Sequence, residues 1–178
     1  MNKTPILLAA LTLIGATACI VPTADAQRVR GRAVASGAEG GRIAATRAAA
    51  SGERGAYARG RKVVSDGQGN AAGRSGGYAQ GANGASAGRR GSFYRNADGS
   101  AGRQASAFVQ GANGGSASTS GSIARDADGS VNGSRSTSAT GASGNSYNGS
   151  TTVTDGQVNR TATCSNAAGE AIDCRGGD

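Results

Sequence analysis

Between residues 27 and 103 the chain carries fourteen Lys and Arg against four acids, a net of +10, and Lys62 is the only Lys among them. Guanidinium groups present forked, permanently charged donors that match phosphate and carboxylate oxygens. Arg59, Arg61, Lys62, Arg74, Arg89, Arg90, Arg95 and Arg103, with Tyr57, Tyr78 and Tyr94 interspersed, are therefore candidate contacts to a polyanion such as lipopolysaccharide, acidic polysaccharide or extracellular DNA. The plainer reading of the same charge is a solvated surface that keeps a glycine-rich chain soluble. Residues 104–178 carry four Arg against six acids, a net of −2, so a polyanion partner belongs to the first half.

Other chemistry-bearing patterns are weaker. Residues 73–77 match Gly-x-Ser-x-Gly, but the chain has no His to serve as the usual base. Gly67-Gln68-Gly69 with Ala72 mimics a dinucleotide loop without the helix that such a loop opens. Asp126 and Asp128 lack the further oxygen ligands of a calcium loop and read as turn residues. Zinc has too few His and Cys. Thr152-Val153-Thr154 and Thr161-Ala162-Thr163 are similar to ice-binding threonine pairs but do not recur at a fixed period. The expectation is a non-enzymatic chain with no cofactor, metal or small-molecule substrate. Cys164 and Cys174 bracket the turn signal at 166–169 and are expected to pair. Closing so short a loop contributes about 2–3 kcal/mol.

What positions these residues is a repeat. Gly-Ala-Asn-Gly stands at 81–84 and 111–114, Gly-Ala-Ser-Gly at 141–144, with Asn-Ala-Asp-Gly and Asp-Ala-Asp-Gly midway at 96–99 and 126–129. Residues 66–95 and 96–125 align without a gap at 12 of 30 positions, and 96–125 with 126–155 at 10. The unit is thus 30 residues, made of two half-units of 15. Asn-Gly and Asp-Gly are hairpin turns, because both residues tolerate positive φ. Alternation of residue class, as in 115–120 and 134–138, indicates strands between the turns.

The fold expected is all-β, an antiparallel meander of about ten short strands. Two alternatives stay open: a β-solenoid with 30-residue coils, or a largely disordered chain, since residues 27–178 hold no Leu and only thirteen Ile, Val and Phe. The large residues favour the solenoid. In a meander, residues nine after each turn glycine (Phe93, Phe108, Ile123, Val153) are expected to scatter, whereas coils stack Phe93, Ile123 and Val153, and Tyr78 with Phe108. The Ala-rich run from Ile43 to Ala50 is the best helix candidate.

Four segments result: a secretory signal at 1–26, a weakly ordered basic segment at 27–65, the repeat region at 66–155 and a disulfide-stapled hairpin and tail at 156–178. The signal reading rests on Lys3, the apolar run 5–21 and the small residues Ala24 and Ala26 at a cleavage point. Residues 15–19 also resemble a bacterial lipobox, which implies lipidation at Cys19. Asp126-Ala-Asp128-Gly129 resembles the turn of the tyrosine-aspartate (Rhs-type) β-repeats, with Arg125 at the Tyr position. Residues 80–83 and 110–113 resemble curlin repeats of secreted functional amyloid, which implies self-assembly. The function expected is an exported β-repeat protein of the bacterial envelope or extracellular matrix, structural or adhesive; the alternatives are a disordered polyanion binder and a curli-like fibre subunit.

Overall fold

The computed structural model describes residues 26–174 apart from residue 38. Residues 1–25, which hold Cys19 and nearly all of the expected signal, lie outside the described residues. Eleven strands follow one another: β1 (Gln27–Ser36), β2 (Arg42–Gly52), β3 (Gly55–Ser65), β4 (Ala71–Gly81), β5 (Ser86–Arg95), β6 (Ala101–Gln110), β7 (Ser116–Arg125), β8 (Val131–Thr140), β9 (Ser146–Thr154), β10 (Gln157–Ser165) and β11 (Ala171–Ile172). They form one open sheet in strict sequence order, every pair antiparallel. Each strand touches only its neighbours in sequence, so the sheet is a one-dimensional array of hairpins.

The turn chemistry sets the period. In residues 96–100 the Asn96 N–H donates to the Ser100 carbonyl at 2.8 Å, and the Gly99 N–H donates to the Asn96 carbonyl at 3.1 Å. Residues 81–85, 111–115, 126–130, 141–145 and 166–170 repeat the pattern. The fourth residue is always a glycine with positive φ, 84° at Gly84 and 89° at Gly99, as a hairpin closed by a β-turn and a left-handed residue requires. The third residue often locks the loop: Asp98 Oδ1 accepts from the Ser100 N–H at 2.9 Å, and Asn83 Oδ1 from the Ala85 N–H at 3.1 Å. Five loop residues and about ten strand residues make the 15-residue half-unit. At the C-terminus Cys164 and Cys174 form a disulfide with Cα atoms 5.2 Å apart, tying down β11, which pairs only with Cys164 and Ser165.

No described residue is buried. A single layer has no core between layers, so backbone ladders and cross-strand side-chain pairs, each worth about 0.2–1 kcal/mol, carry the structure. Glycines opposite large residues tighten those pairs. A Cβ on Gly73 would lie 2.3 Å from Cε1 of Phe93, and a Cβ on Gly88 as close to Cε1 of Phe108. The ring therefore folds down over bare backbone on the adjacent strand.

Several expectations change. Ile43 to Ala50, the helix candidate, lies in β2, because consecutive pairing with β1 and β3 outweighs the helix propensity of Ala. Residues 27–65 hold β1 to β3, and the pairing runs on from β3 to β4. The sheet is a meander, not a solenoid and not a disordered chain, yet it forms the ladders credited to the solenoid. A 30-residue step advances two antiparallel strands and returns to the same height, so Phe93, Ile123 and Val153 share a row, separated by Arg103 and Gly133. By the same step Tyr78 and Phe108 flank Gly88, their ring centroids 6.4 Å apart.

Candidate polyanion-binding surface

Every charged residue within a strand is a cation, and every described carboxylate lies outside the strands. Asp66, Asp98, Asp126, Asp128 and Glu170 accept hydrogen bonds within their own loops, while the strands carry arginine at intervals. Because directly paired residues share a face, the register sorts these cations. Arg28, Arg30, Arg32, Arg42, Arg59, Arg61, Arg89, Arg95, Arg103, Arg125, Arg135 and Arg160 project from one face. Only Arg47, Lys62, Arg74 and Arg90 project from the other. The first is the arginine face, the second the hydroxyl face.

The densest part of the arginine face is central. Arg30, Ala48, Arg59, Gly77 and Arg89 form one row from β1 to β5, and Arg32, Thr46, Arg61, Ser75 and Gly91 form another. Within a row the arginines stand on alternate strands, about 9–10 Å apart, and within a strand about 7 Å apart. The residues between them are small, so each guanidinium is free to reach a ligand lying across the sheet. These rows line an open trough of about 1340 Å³ that also takes in Arg103 and Arg135. Cations two residues apart on one strand, about 7 Å, lie within the Debye length of about 8 Å at physiological salt, so their fields add.

The carboxylates collect on one rim. The loops after β1, β3, β5, β7 and β9 hold Glu39, Asp66, Asp98, Asp126, Asp128 and Asp155, whereas the opposite rim has Glu53 and Glu170. The Asp98 carboxyl is held below the usual carboxylate range by the Ser100 hydroxyl and N–H. Asp128 is lowered by the Ser130 N–H and hydroxyl, and Asp66 by the Asn70 side-chain amide and the Gln68 N–H. Two bonds between neighbouring elements tie this rim together: loop to loop, Ala97 N–H to Asn70 Oδ1 at 2.8 Å, and strand to loop, Arg125 Nη2 to the Gly99 carbonyl at 2.9 Å. Arg42, Arg95 and Arg125 share the row beside this rim, where acidic neighbours offset their charge. The two central rows are four and six positions further along the strands.

The sequence-selected cations divide between the faces. Arg59, Arg61, Arg89, Arg95 and Arg103 lie on the arginine face; Lys62, Arg74 and Arg90 lie on the hydroxyl face. Arg28, Arg30 and Arg32 were not among them, although Arg-x-Arg-x-Arg is a strand-period signal that puts three guanidiniums on one face. Ser75 of the Gly-x-Ser-x-Gly pattern sits in mid-strand opposite Arg61 and Gly91, not at a strand–helix turn. Gly67 to Gly69 belong to the loop between β3 and β4, and Asp126 and Asp128 to the loop between β7 and β8. The described residues contain no group of three or more potential metal ligands. No protein-family model, curated protein or solved structure matches the chain.

Proposed function

We propose that this is an exported, non-enzymatic β-repeat protein of the bacterial envelope or extracellular matrix that holds anionic polymers on its arginine face. The observation that carries this reading is the pair of central rows, in which Arg30, Arg32, Arg59, Arg61 and Arg89 face one way with no strand carboxylate beside them. A periodic cation array on a rigid sheet recognises a polymer's charge spacing, not its sequence. Lipopolysaccharide phosphates, acidic polysaccharide and DNA all supply such charge. The Cys164–Cys174 bridge fits an oxidising compartment, and the signal-like residues 1–26 fit export.

Salt titration of binding by the purified full chain tests the reading. Affinity for lipopolysaccharide, DNA or alginate is expected to fall steeply as salt rises from about 50 to about 200 mM, through counterion release. Absence of binding to all three at low salt overturns it. A second reading, assembly into fibres, is favoured by one feature: among the described residues β1 has no partner on its outer edge. Arg28, Arg30 and Arg32 oppose it, because an added copy of β1 brings like charges together. Thioflavin fluorescence with a lag phase, unaffected by polyanion, is the outcome that favours fibres.

A further inference from the structure

The hydroxyl face carries a second built surface, unrelated in chemistry to the arginine rows. Over β7 to β10 its three middle rows read Ser118, Ser138, Asn148, Thr163; Ser120, Ser136, Ser150, Thr161; and Ser122, Ser134, Thr152, Asn159. All of these side chains are uncharged and end in a hydroxyl or amide. The middle row is already bonded in pairs, Ser120 to Ser136 at 3.1 Å and Ser150 to Thr161 at 2.8 Å. Each hydroxyl in such a pair keeps donor or acceptor capacity for a ligand.

The first of these rows continues onto β6, β5 and β4 as Phe108, Gly88 and Tyr78. The two rings lie 6.4 Å apart, tilted by 40°, and are 46% and 47% exposed, which is high for aromatic groups with nothing beneath them but backbone. Rings and hydroxyls together line one open trough of about 730 Å³ running from β4 to β10, across the strands. Arg90 is the one cation whose side chain lies on this side of it, and its Nε donates to Ser106 Oγ at 3.0 Å.

We infer that this trough binds a neutral, extended glycan, of the β-1,4-linked class. The argument is complementarity. A pyranose ring presents an apolar C–H face, which stacks on aromatic rings, and hydroxyl edges, which exchange hydrogen bonds with hydroxyls and amides. An extended β-linked chain is a flat ribbon, and each hexose spans about one strand spacing of 4.7–4.9 Å. A ribbon lying along the row rests its apolar sugar faces on the Tyr78 and Phe108 rings that flank Gly88, then continues over Ser118, Ser138 and Asn148. An anionic polymer finds little on this stretch to offset its charge, and an apolar partner would leave the hydroxyls without water. The surface thus separates two ligands on one sheet, charged on the arginine face and neutral here, and it stands independently of the polyanion reading.

Calorimetry of the purified full chain with cellohexaose and chitohexaose tests this inference. Binding is expected with at least one of them, unchanged as salt rises from about 50 to about 200 mM, unlike polyanion binding. Replacing both rings, Tyr78→Ala with Phe108→Ala, is expected to weaken binding about tenfold. Ser120→Val with Ser136→Val removes two hydroxyls while raising strand propensity, so folding is retained and the loss reads the contacts alone. Arg30→Glu with Arg59→Glu is expected to leave glycan binding intact, which separates failure here from failure of the arginine face. No heat with either oligosaccharide, or unchanged affinity in both the ring and the serine variants, overturns the inference.

Discussion

The two faces of this sheet are built from alternate residues of the same strands, yet one carries twelve of the sixteen strand cations and the other four. The faces share the same strands, turns and register, so the difference in composition arises from which alternate positions the cations occupy. Within β3, Arg59 and Arg61 point one way and Gly60 and Lys62 the other. A slip of one residue would exchange the faces, and the five-residue loops prevent it by fixing where each strand begins to pair. In a sheet with no interior, register performs the task that burial performs in a globular domain: it decides which side chains meet a partner together.

The sharpest way to break this comparison uses two triple charge reversals with equal change in net charge. Arg30→Glu, Arg59→Glu and Arg89→Glu lie in one row of the arginine face. Arg47→Glu, Arg74→Glu and Arg90→Glu lie on the hydroxyl face. The first set is expected to lower DNA or lipopolysaccharide affinity about a hundredfold at low salt and to reduce the salt slope by about three, one per lost contact. The second is expected to change affinity by less than about fivefold, through the long-range field alone. Equal losses would mean that net charge, not the face, governs binding. Arg89→Glu with Arg90→Glu, which strikes one residue on each face, is expected to fall between them.

The ends of the sheet differ as the faces do. The β10 end is stapled through Cys164 and Cys174, while among the described residues the β1 end is held by its pairing with β2. Reduction is expected to cost about 2–3 kcal/mol of stability, measured as a shift of the urea midpoint with and without reductant. In an array coupled only through neighbours, hydrogen exchange is expected to accelerate first in β10 and β9 and to leave β1 to β4 unchanged. A uniform increase across all strands would show one cooperative unit instead.

How much of this was legible follows from range. The turns depend on four or five consecutive residues, so Asn83-Gly84 and Asp98-Gly99 declare the strand count and the 15-residue spacing directly. The disulfide was legible for the same reason, since ten residues separate its ends. Faces were not, because assigning Arg59 and Arg30 to one row requires the register of two successive hairpins. The Ala-rich β2 holds the Ile43 to Ala50 run, and a two-residue turn at Glu53 and Arg54 joins it to β3 in place of the usual loop, so the repeat signal lapses there. The pairing of Tyr78 with Phe108 across Gly88 needs both the register and the absent Cβ, and it was assigned to the wrong architecture although the 30-residue spacing is plain.

Glycines give a smaller test of the faces. On the arginine face a Cβ at Gly121 would lie 2.6 Å from the Ser134 carbonyl oxygen and 3.0 Å from the Arg135 Cα, so backbone must move. On the hydroxyl face the Cβ of Gly88→Ala meets the Phe108 ring at 2.3 Å, and that ring can swing away. Gly121→Ala is expected to cost about 2 kcal/mol and Gly88→Ala about 1 kcal/mol in urea unfolding. Gly88→Ala is also expected to weaken glycan binding without touching polyanion binding. The reverse order of stability would show that the ring pair contributes more than the backbone fit.

The smallest effect concerns the acidic rim, which belongs to neither face. Asp66, Asp98 and Asp128 have carboxyls lowered below their ordinary value by hydrogen bonds that favour the ionised form. A folded-state value below the unfolded one adds stability that is present above the unfolded carboxylate range, about pH 4, and is lost as pH falls through the lower folded values. Stability is therefore expected to stay level from about pH 8 to pH 5 and to decline below about pH 4. These groups are exposed, so each contributes little and the decline is shallow. Asp98→Asn keeps an oxygen to accept from the Ser100 N–H and removes the titration. Its acid limb, followed by circular dichroism, is expected to be slightly flatter than that of the parent, with no change at neutral pH. Because the fold that presents the arginine rows keeps its stability in that window, affinity for DNA is expected to remain constant between about pH 5 and pH 8. A change in that window, tracking the acid limb, would mean that the rim and the arginine face act as one surface.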